Sequence, residues 1–398
     1  MKKVVIIGAG VSGLVCAIES KTKNNEVILL EKEDEVGKKI LAAGSGKCNY
    51  YNEDISLNKY HSTYNKIEEY LNIDELIKIK DFYSNLGIIP YIRNGYYYPI
   101  TKDSKTIRNA LYDECISKNI KIITNFKVEE IKKNNDKYQV IGNEMIEADF
   151  LVVAAGSSAY YKENNSYDLL RKLNLKIEKP LPSLVQLHTK KYDYLKDWSG
   201  VRSEVDVHLY ENNKYIKSES GEIQLTSFGI SGICVYNLTP YITRGLNNNK
   251  NEIVEIDFVK NLTHKELDSY LQKYNDLTKS LEKLINNKLA KIILKILNVE
   301  ETNYLNLKSS YKDKLLNLLK KFRVEIKATN DYSNAQVCAG GLSLEEVSTS
   351  FEVKKYNNLF VTGELLDIDG DCGGYNITFC TYSGIKVGNN IKRRCNND

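Results

Sequence analysis

The sequence predicts an α/β fold in which a parallel sheet is interrupted by an antiparallel β unit and a helical unit. Three observations lead to this prediction. The chain opens with an apolar run, a glycine-rich turn and an amphipathic run; its middle alternates apolar and polar residues; and a strand-turn-helix pattern returns near the C-terminus. A chain of 398 residues is long enough for two or three domains.

The first element is a βαβ unit. Residues 4–7 (VVII) form a continuous β-branched strand, which is typical of a strand buried on both faces of a sheet. Residues 14–20 continue as a helix, and residues 26–30 form a second strand. Such a unit implies parallel strands joined by a right-handed crossover.

The turn between the first strand and the helix has the spacing G-x-G-x-x-G, supplied by Gly8, Gly10 and Gly13. Gly8 permits the tight turn, Gly10 lets the backbone approach a pyrophosphate, and Gly13 lets the helix pack close to the strand. The helix N-terminus adds N–H donors and a positive dipole end. Glu31 follows the second strand, where its carboxylate can accept hydrogen bonds from both ribose hydroxyls, so the site favours FAD or NAD over NADP.

Residues 32–49 favour FAD over NAD. An NAD dehydrogenase would continue with further βα units, whereas this chain continues with a long loop rich in glycine and lysine. FAD lies extended, so a second glycine-rich loop that lets the backbone approach it is expected, and lysines there would offset the pyrophosphate charge. The alternative is a flexible surface loop with solvated lysines.

The segment from residue 60 to residue 156 continues the sheet. The pattern predicts mostly helix over 60–120, interrupted by an aromatic, turn-rich stretch at 89–100. Within this stretch, GYYYP at 95–99 either lines a substrate pocket or is a packed turn. Strands are predicted over 121–128 and 138–141. Residues 149–156 (DFLVVAAG) form another buried strand, ending at Ala155 and Gly156, where a flavin domain closes around its dinucleotide.

The middle of the chain has a different character. Residues 184–259 show repeated period-two alternation, which indicates antiparallel strands. Residues 263–322 are helical in pattern and begin with Thr263 and Glu266 in capping-box spacing. The predicted organisation is therefore an FAD-binding domain at 1–183 and 326–398, with an inserted antiparallel β unit at 184–260 and an inserted helical unit at 261–325.

The C-terminal segment contains a second glycine-rich turn. A strand at 359–362 is followed by Gly363 and Glu364, then by DIDGDCGGYNI and a helix from about Asn376. Gly373 and Gly374 would free the backbone to approach a flavin ring, and the helix N-terminus beside the ring would stabilise the anionic reduced flavin. The alternative is a glycine turn that leads into an ordinary helix.

Four segments carry a resemblance to a known family: GKKILAAGSGKCN (37–49), GEIQLTSFGISG (221–232), the Gly-Gly pair at 340–341 and GELLDIDGDCGGYN (363–376). The chain resembles, nearly end to end, a bacterial family of FAD-dependent NAD(P)H-oxidoreductase-like flavoproteins that includes aminoacetone-oxidase-like and bile-acid-dehydroxylation flavin reductase-like proteins. The resemblance implies a Rossmann-type FAD-binding domain of the two-dinucleotide-binding class. It also implies FAD contacts at Ser12, Glu31, Lys38, Lys39, Val128 and residues 363–377.

This sequence departs from the family pattern at three places. The family usually has His where Ser227 stands and Pro where Ile233 stands. After AAG it usually has a glycine-rich turn, whereas this chain has SSAYYKENNSYD at 157–168. The last departure lies close to the expected cofactor or substrate and leaves the substrate class open.

The predicted cofactor-binding residues come from these segments and from the resemblance. They are Gly8, Gly10, Ser12, Gly13, Glu31, Lys32, Lys38, Lys39, Gly46, Cys48, Asn49, Val128, Ala155, Gly156, Gly363, Glu364, Asp369, Gly373, Gly374, Tyr375, Asn376 and Ile377.

Composition excludes several classes of function. The 56 basic and 52 acidic residues give a net charge of only +4, which favours neither a nucleic acid nor a membrane surface as partner. No stretch has the apolar length of a membrane span, and glycines interrupt the first apolar run, so no secretory signal is expected. The eight cysteines form no C-x-x-C pair or zinc-type quartet, which favours reduced thiols in a cytoplasmic protein and no metal site.

No side chain is predicted to perform the redox step, because the flavin itself transfers hydride or electrons. Cys48 and Tyr375 are weak candidates for a catalytic role, and a redox pair of Cys48 with Cys372 is a further alternative. The four histidines, at positions 61, 188, 208 and 264, lie outside the glycine-rich motifs and are expected to be surface or packing residues.

The leading functional prediction is an FAD-containing oxidoreductase that is reduced by NAD(P)H and passes hydride or electrons to a small organic substrate. Only one G-x-G-x-x-G is present, so NAD(P)H would dock transiently over the flavin. The first alternative is an oxidase that takes a small amine or similar donor and uses O₂. The second is a non-catalytic protein in which flavin has a structural or regulatory role. The oligomeric state stays open.

Overall fold

A computed structural model describes residues 1–160, 166–299 and 302–397 of the chain. These residues divide into two compact units. The first unit combines Met1–Leu181 with Gln336–Asp398, and the second is Pro182–Ala335. The chain leaves the first unit along the strand Ile177–Ser183 and returns to it along Val337–Leu342.

The first unit is built on a five-stranded sheet in which every strand pair is parallel. The strand order is Leu359–Val361, Phe150–Val153, Lys2–Ile7, Asn25–Leu30, Lys121–Ile123. The central strands are buried on both faces, in agreement with their unbroken apolar sequences. The predicted βαβ unit is confirmed, with the helix Val11–Ser20 between the first two strands of the chain.

Smaller antiparallel sheets surround the parallel one. They comprise Glu130–Asn134, Lys137–Ile141 and Met145–Ala148; Tyr51–Asn52, Pro90–Arg93 and Tyr96–Pro99; and the pair Tyr60–His61 and Asp369–Gly370. The α-helices of this unit after the first are Lys38–Ala42, Ile73–Ile77, Ile79–Asn85, Ser104–Ser117, Ser166–Lys172 and Tyr375–Asn397. Short 3₁₀ turns occur at Leu57–Lys59, Ile67–Glu69, Leu344–Glu346 and Gly363–Leu365.

The second unit is a closed six-stranded antiparallel barrel accompanied by helices. The strand order is Leu187–Thr189, Gly229–Ser231, Lys214–Thr226, Arg202–Glu211, Glu252–Asp257, Phe322–Thr329, and the last strand pairs with the first. The helices are Leu195–Trp198, Ile233–Tyr236, Thr239–Asn247, His264–Leu271, Leu277–Glu282, Asn287–Leu297 and Ser309–Lys320, with a 3₁₀ turn at Tyr304–Asn306. The capping box of Thr263 and Glu266 is confirmed.

Four expectations about local structure were wrong. Residues 89–100 form a β-hairpin that turns at Asn94 and Gly95, both at positive φ, as a two-residue hairpin requires. The strand expected over 121–128 stops at residue 123. The loop after Glu31 contains the helix Lys38–Ala42. Residues 322–329 were expected to end the helical segment and begin the return to the FAD-binding domain. They form the barrel strand Phe322–Thr329, because their alternating side chains complete the barrel core.

In the described part of the chain, no helix combines the length and the apolar character needed to cross a bilayer.

Candidate functional site

A cleft opens in the first unit where the strands Lys2–Ile7, Asn25–Leu30 and Phe150–Val153 end at their carboxyl side. Ligands bind at this edge of open parallel sheets. The cleft has a volume of about 90 Å³ and is open to solvent. Its lining includes Ile7, Gly8, Gly10, Leu30, Glu31, Lys32, Glu33, Glu35, Gly37, Lys38, Lys39, Phe126, Lys127, Val128, Ala154, Ala155, Gly156 and Leu169.

The glycine turn shapes the floor of this cleft. Gly8 has φ +105°, and a Cβ there would lie 2.5 Å from the carbonyl oxygen of Ala154 on the neighbouring strand. A Cβ on Gly13 would collide with the carbonyl oxygen of Gly8, so helix and strand are in close contact. At Gly10, by contrast, no described atom lies within 4 Å of where a Cβ would be. The backbone is therefore bare at the point where a pyrophosphate would lie.

The helix that follows the turn offers hydrogen-bond donors. Gly10 is its N-cap residue, and no side chain in the described part of the chain caps its first turn. The first N–H groups of a helix lack partners within the helix, and the helix dipole adds a partial positive charge there. A phosphate group fits such an end.

Glu31 lies at the end of the second strand and is 9% exposed. Its Oε2 accepts a hydrogen bond from the backbone N–H of Ala9 at 2.8 Å, and its Oε1 accepts from the backbone N–H of Glu33 at 3.0 Å. These two bonds fix the carboxylate at the mouth of the cleft. It is held where a ribose hydroxyl can donate to it.

The lysines of the next loop are largely paired with acids of the same unit. Lys38 Nζ lies 3.0 Å from Glu33 Oε2 and 2.6 Å from Asp34 Oδ1. Hydrogen bonds to these two carboxylates raise the pKa of Lys38 above its ordinary value. Lys32 lies 3.9 Å from Glu33 Oε1. Lys32 and Lys38 are thus paired with acids of the same loop.

Lys39 joins three segments that are far apart in the sequence. Its Nζ lies 2.9 Å from Glu364 Oε2 and 3.3 Å from both the carbonyl oxygen and the hydroxyl of Ser157. The Ser157 hydroxyl also donates to Glu364 Oε2 at 2.7 Å. Burial alone would raise the pKa of Glu364, but the Lys39 ammonium and the Ser157 hydroxyl outweigh it and hold that pKa below its ordinary value. The half-buried carboxylate of Glu364 is therefore charged and paired.

The C-terminal glycine turn packs against residues 49–52. Asn52 Nδ2 donates to the carbonyl oxygen of Gly373 at 2.9 Å. A Cβ on Gly374 would lie 2.8 Å from the carbonyl carbon of Tyr51 and 2.9 Å from Asn49 Oδ1. The two glycine-rich segments predicted to meet the cofactor thus lie side by side.

Asn376 fixes the other side of the same turn. Its Oδ1 accepts from the backbone N–H of Gly370 at 2.8 Å, and its Nδ2 donates to the Gly370 carbonyl oxygen at 2.9 Å. Asp369, in the preceding strand, is 1% exposed. The turn that precedes the long C-terminal helix is consequently held on both sides.

The weak catalytic candidates lie in packed positions. Cys48 is fully buried, and burial raises the pKa of its thiol to about 12, which disfavours a reactive thiolate. Tyr375 is 3% exposed, and its hydroxyl donates to the carbonyl oxygen of Asp54 at 3.1 Å. Neither residue is among those that line the cleft.

His61 is a residue that sequence reasoning placed among surface or packing histidines. It is buried, and its Nε2 lies 2.7 Å from Oδ1 of Asp371, just before the glycine turn. The strand pairing of His61 with Asp369 brings the ring to this position. No local pattern marks a two-residue strand, so the sequence carried no signal for the pair.

The predicted cofactor residues fall into two groups. Those that line the cleft are Gly8, Gly10, Glu31, Lys32, Lys38, Lys39, Val128, Ala155 and Gly156. The others are not among the residues that line the cleft: Ser12, Gly13, Gly46, Cys48, Asn49, Gly363, Glu364, Asp369, Gly373, Gly374, Tyr375, Asn376 and Ile377. Ser12 meets Gly363 directly, since a Cβ on Gly363 would lie 2.5 Å from Ser12 Oγ.

Sequence reasoning missed the cleft residues Phe126 and Lys127, as well as Ser157. The position of Phe126 and Lys127 directly before Val128 was the available signal. Of the departure from the family pattern at 157–168, residues 161–165 lie outside the described part of the chain.

A bare glycine turn, an uncapped helix start and a fixed carboxylate at the end of the second strand are what an adenine dinucleotide requires. The Lys39–Glu364 pair joins the loop after Glu31 to the 3₁₀ turn Gly363–Leu365. The residues present therefore fit FAD, and the fold and site define a Rossmann-type flavoprotein oxidoreductase.

The chain belongs to the HI0933-like protein family, whose Rossmann-domain model matches residues 2–390. It is 30% identical, over 98% of both chains, to a 3-dehydro-bile acid Δ(4,6)-reductase of Clostridium scindens. It is 23% identical to the ribosomal RNA dihydrouridine synthases of Haemophilus influenzae, over 98% of both chains, and of Escherichia coli, over 95% of both.

Proposed function

We propose that this protein is an FAD-containing reductase that uses NAD(P)H as its reductant. It saturates a carbon–carbon double bond conjugated to a carbonyl group in a small organic molecule. The full-length similarity to a 3-dehydro-bile acid Δ(4,6)-reductase carries the proposal. Double bonds at positions 4 and 6 that are conjugated with a 3-oxo group are electron-poor, because the oxo group draws electron density from them. The other two relatives support the same chemistry, because dihydrouridine is uridine whose carbonyl-conjugated ring double bond is saturated.

Bound FAD would supply hydride transfer between the nicotinamide and the alkene. The chain's own residues would bind the cofactor and orient it. The Gly8–Gly13 turn and the helix start would hold the pyrophosphate, Glu31 would accept from the ribose, and the Lys39–Glu364 pair would keep the two halves of the site together. Only one G-x-G-x-x-G is present, which supports a nicotinamide that docks transiently beside the flavin.

A small-molecule substrate is favoured over RNA by the higher identity to the bile-acid reductase and by the net charge of only +4. Reduction of uridine in ribosomal RNA is the second candidate, and the two dihydrouridine synthases favour it. We place the protein in the cytoplasm, a proposal supported by six buried cysteines that form no disulfide in the described part of the chain: Cys16, Cys48, Cys115, Cys234, Cys338 and Cys380.

Anaerobic rapid mixing tests this function. The yellow, FAD-loaded protein is mixed with NADH or NADPH, and the bleached protein is then mixed with progesterone, a 3-oxo-4-ene steroid, or with unmodified ribosomal RNA. Bleaching by a nicotinamide, followed by reoxidation and a steroid product heavier by two hydrogens, supports the proposal. Reoxidation by the RNA alone supports the second candidate, and bleaching by an amine but by neither nicotinamide would identify an oxidase.

A further inference from the structure

The loop formed by residues 32–37 is one wall of the cleft. Four of its residues line the cleft: Lys32, Glu33, Glu35 and Gly37. Near the start of the loop, the backbone N–H of Glu33 donates to Glu31 Oε1 at 3.0 Å. At its end, the backbone N–H of Gly37 donates to the carbonyl oxygen of Ala9, in the glycine turn, at 2.9 Å. The backbone of this wall is thus held near both ends.

Arg108, on the helix Ser104–Ser117, contacts the middle of the same loop. Its Nη1 lies 2.9 Å from Glu35 Oε2. Its aliphatic stem lies against Gly37, since a Cβ on that glycine would be 2.8 Å from Arg108 Cγ. The side chain of Arg108 is only 19% exposed, so the guanidinium is partly shielded from solvent. One arginine therefore contacts two of the residues that line the cleft.

The helix that carries Arg108 is seated by apolar contacts. Its inward-facing residues Ile107, Leu111 and Cys115 are fully buried. The thiol of Cys115 donates to the carbonyl oxygen of Leu14, in the helix that follows the glycine turn, at 3.9 Å. Because burial of these side chains already fixes the helix, the ion pair with Glu35 acts mainly on the loop.

We propose that Arg108 is a positioning residue for FAD, which holds the wall formed by residues 32–37 in place and so slows release of the cofactor. The inference rests on the proposed binding of FAD in this cleft. A ligand enclosed by a loop leaves when that loop moves, so a contact that restrains the loop lowers the dissociation rate. Half-exposed ion pairs contribute modestly, so the expected change is severalfold.

The test measures the rate at which FAD leaves the full-length protein. FAD-loaded wild type, Arg108→Gln, Glu35→Gln and the double variant are diluted, and the release of FAD is followed by the rise of flavin fluorescence. Each single substitution is expected to raise the rate about two- to fivefold, and the double variant no further, because all three lack the same ion pair. Lys105→Gln, which removes an exposed cation from the same helix, should match the wild type.

The direction of the change separates the ion pair from a general effect of charge. Loss of a cation and loss of an anion near the phosphates of FAD would shift the rate in opposite directions, whereas loss of the ion pair raises it in both variants. Opposite shifts, additive increases, or rates equal to that of Lys105→Gln would overturn the inference and leave FAD binding in the cleft standing.

Two further results are decisive. A lower Tm of the Arg108→Gln apoprotein with an unchanged FAD dissociation rate would assign Arg108 a structural role and overturn the inference. If Arg108→Gln does not fold, the rate for Glu35→Gln decides, since a raised rate supports the inference and an unchanged or lowered rate overturns it. A wild type that binds no FAD would overturn both the inference and the proposed function.

Discussion

Glu252 is a buried carboxyl group beside a second carboxyl group in the barrel. It is 1% exposed, and Glu211 is its direct cross-strand neighbour. Neither carboxyl oxygen of Glu252 has a hydrogen-bond partner among the described residues, whereas Lys250 Nζ lies 2.8 Å from Glu211 Oε1. Burial, and then the charge of Glu211, raise the pKa of Glu252 to about 7, with Lys250 opposing them.

The barrel unit should therefore lose stability as the pH rises. A carboxyl group whose pKa is higher in the folded state binds its proton more tightly there. The loss of folding stability caused by its ionisation is therefore absent below the ordinary pKa of 4.5 and complete above about 7. Each pKa unit is worth about 1.4 kcal/mol, so ionisation of Glu252 costs at most about 3.5 kcal/mol of unfolding free energy. Glu252→Gln keeps the shape of the side chain and removes the titration.

Urea unfolding at several pH values between 5 and 8 measures this effect. The single tryptophan, Trp198, is fully buried in the core of the same unit, and its fluorescence reports on that unit. We expect wild type and Glu222→Gln, an exposed barrel substitution, to lose stability in parallel as the pH rises, and Glu252→Gln to lose less by up to about 3.5 kcal/mol. A Glu252→Gln curve parallel to the wild-type curve would refute the reasoning.

Three further predictions concern the cleft. Gly10→Ala should retain wild-type thermal stability yet lose FAD, because its methyl group enters open space in the cleft. Gly13→Ala should instead lower Tm, because its methyl group would collide with the carbonyl oxygen of Gly8. Equal FAD content in Gly10→Ala and wild type would contradict this prediction. Glu31→Gln should weaken FAD binding about ten- to a hundredfold in a titration followed by flavin fluorescence, since a charged acceptor becomes neutral; an unchanged Kd would exclude the ribose contact. Glu364→Gln should destabilise the protein at pH 7, because Lys39 loses its charged partner. The difference in unfolding free energy between variant and wild type, measured in urea, should shrink as the pH falls below 4.5 towards the lowered pKa of Glu364, because the wild-type carboxylate is then protonated. A difference that is independent of pH would count against the ion pair.

Local patterns predicted the part of the fold that brings the cofactor residues together. The run at residues 4–7, the spacing of Gly8, Gly10 and Gly13, and the acid at Glu31 are all close in sequence, so their geometry follows from one βαβ unit. The hairpin turn at Asn94 and Gly95 also had a local signal, which the surrounding tyrosines obscured.

Long-range contacts could not be predicted in the same way. Glu364 was predicted as a cofactor residue, but its pairing with Lys39 depends on the packing of a C-terminal 3₁₀ turn against the first loop. His61 reaches Asp371 through a two-residue strand, which is too short for any periodicity. Barrel closure likewise depends on the pairing of Phe322–Thr329 with Leu187–Thr189, segments separated by most of the second unit.

The central claim, that this chain binds FAD in the cleft beside Gly10, is tested most directly by the absorption spectrum of the purified protein. The expected result is a flavin spectrum, with FAD released in about equimolar amount on denaturation and absent from Gly10→Ala. A colourless wild-type protein that cannot be reconstituted with FAD would contradict the claim.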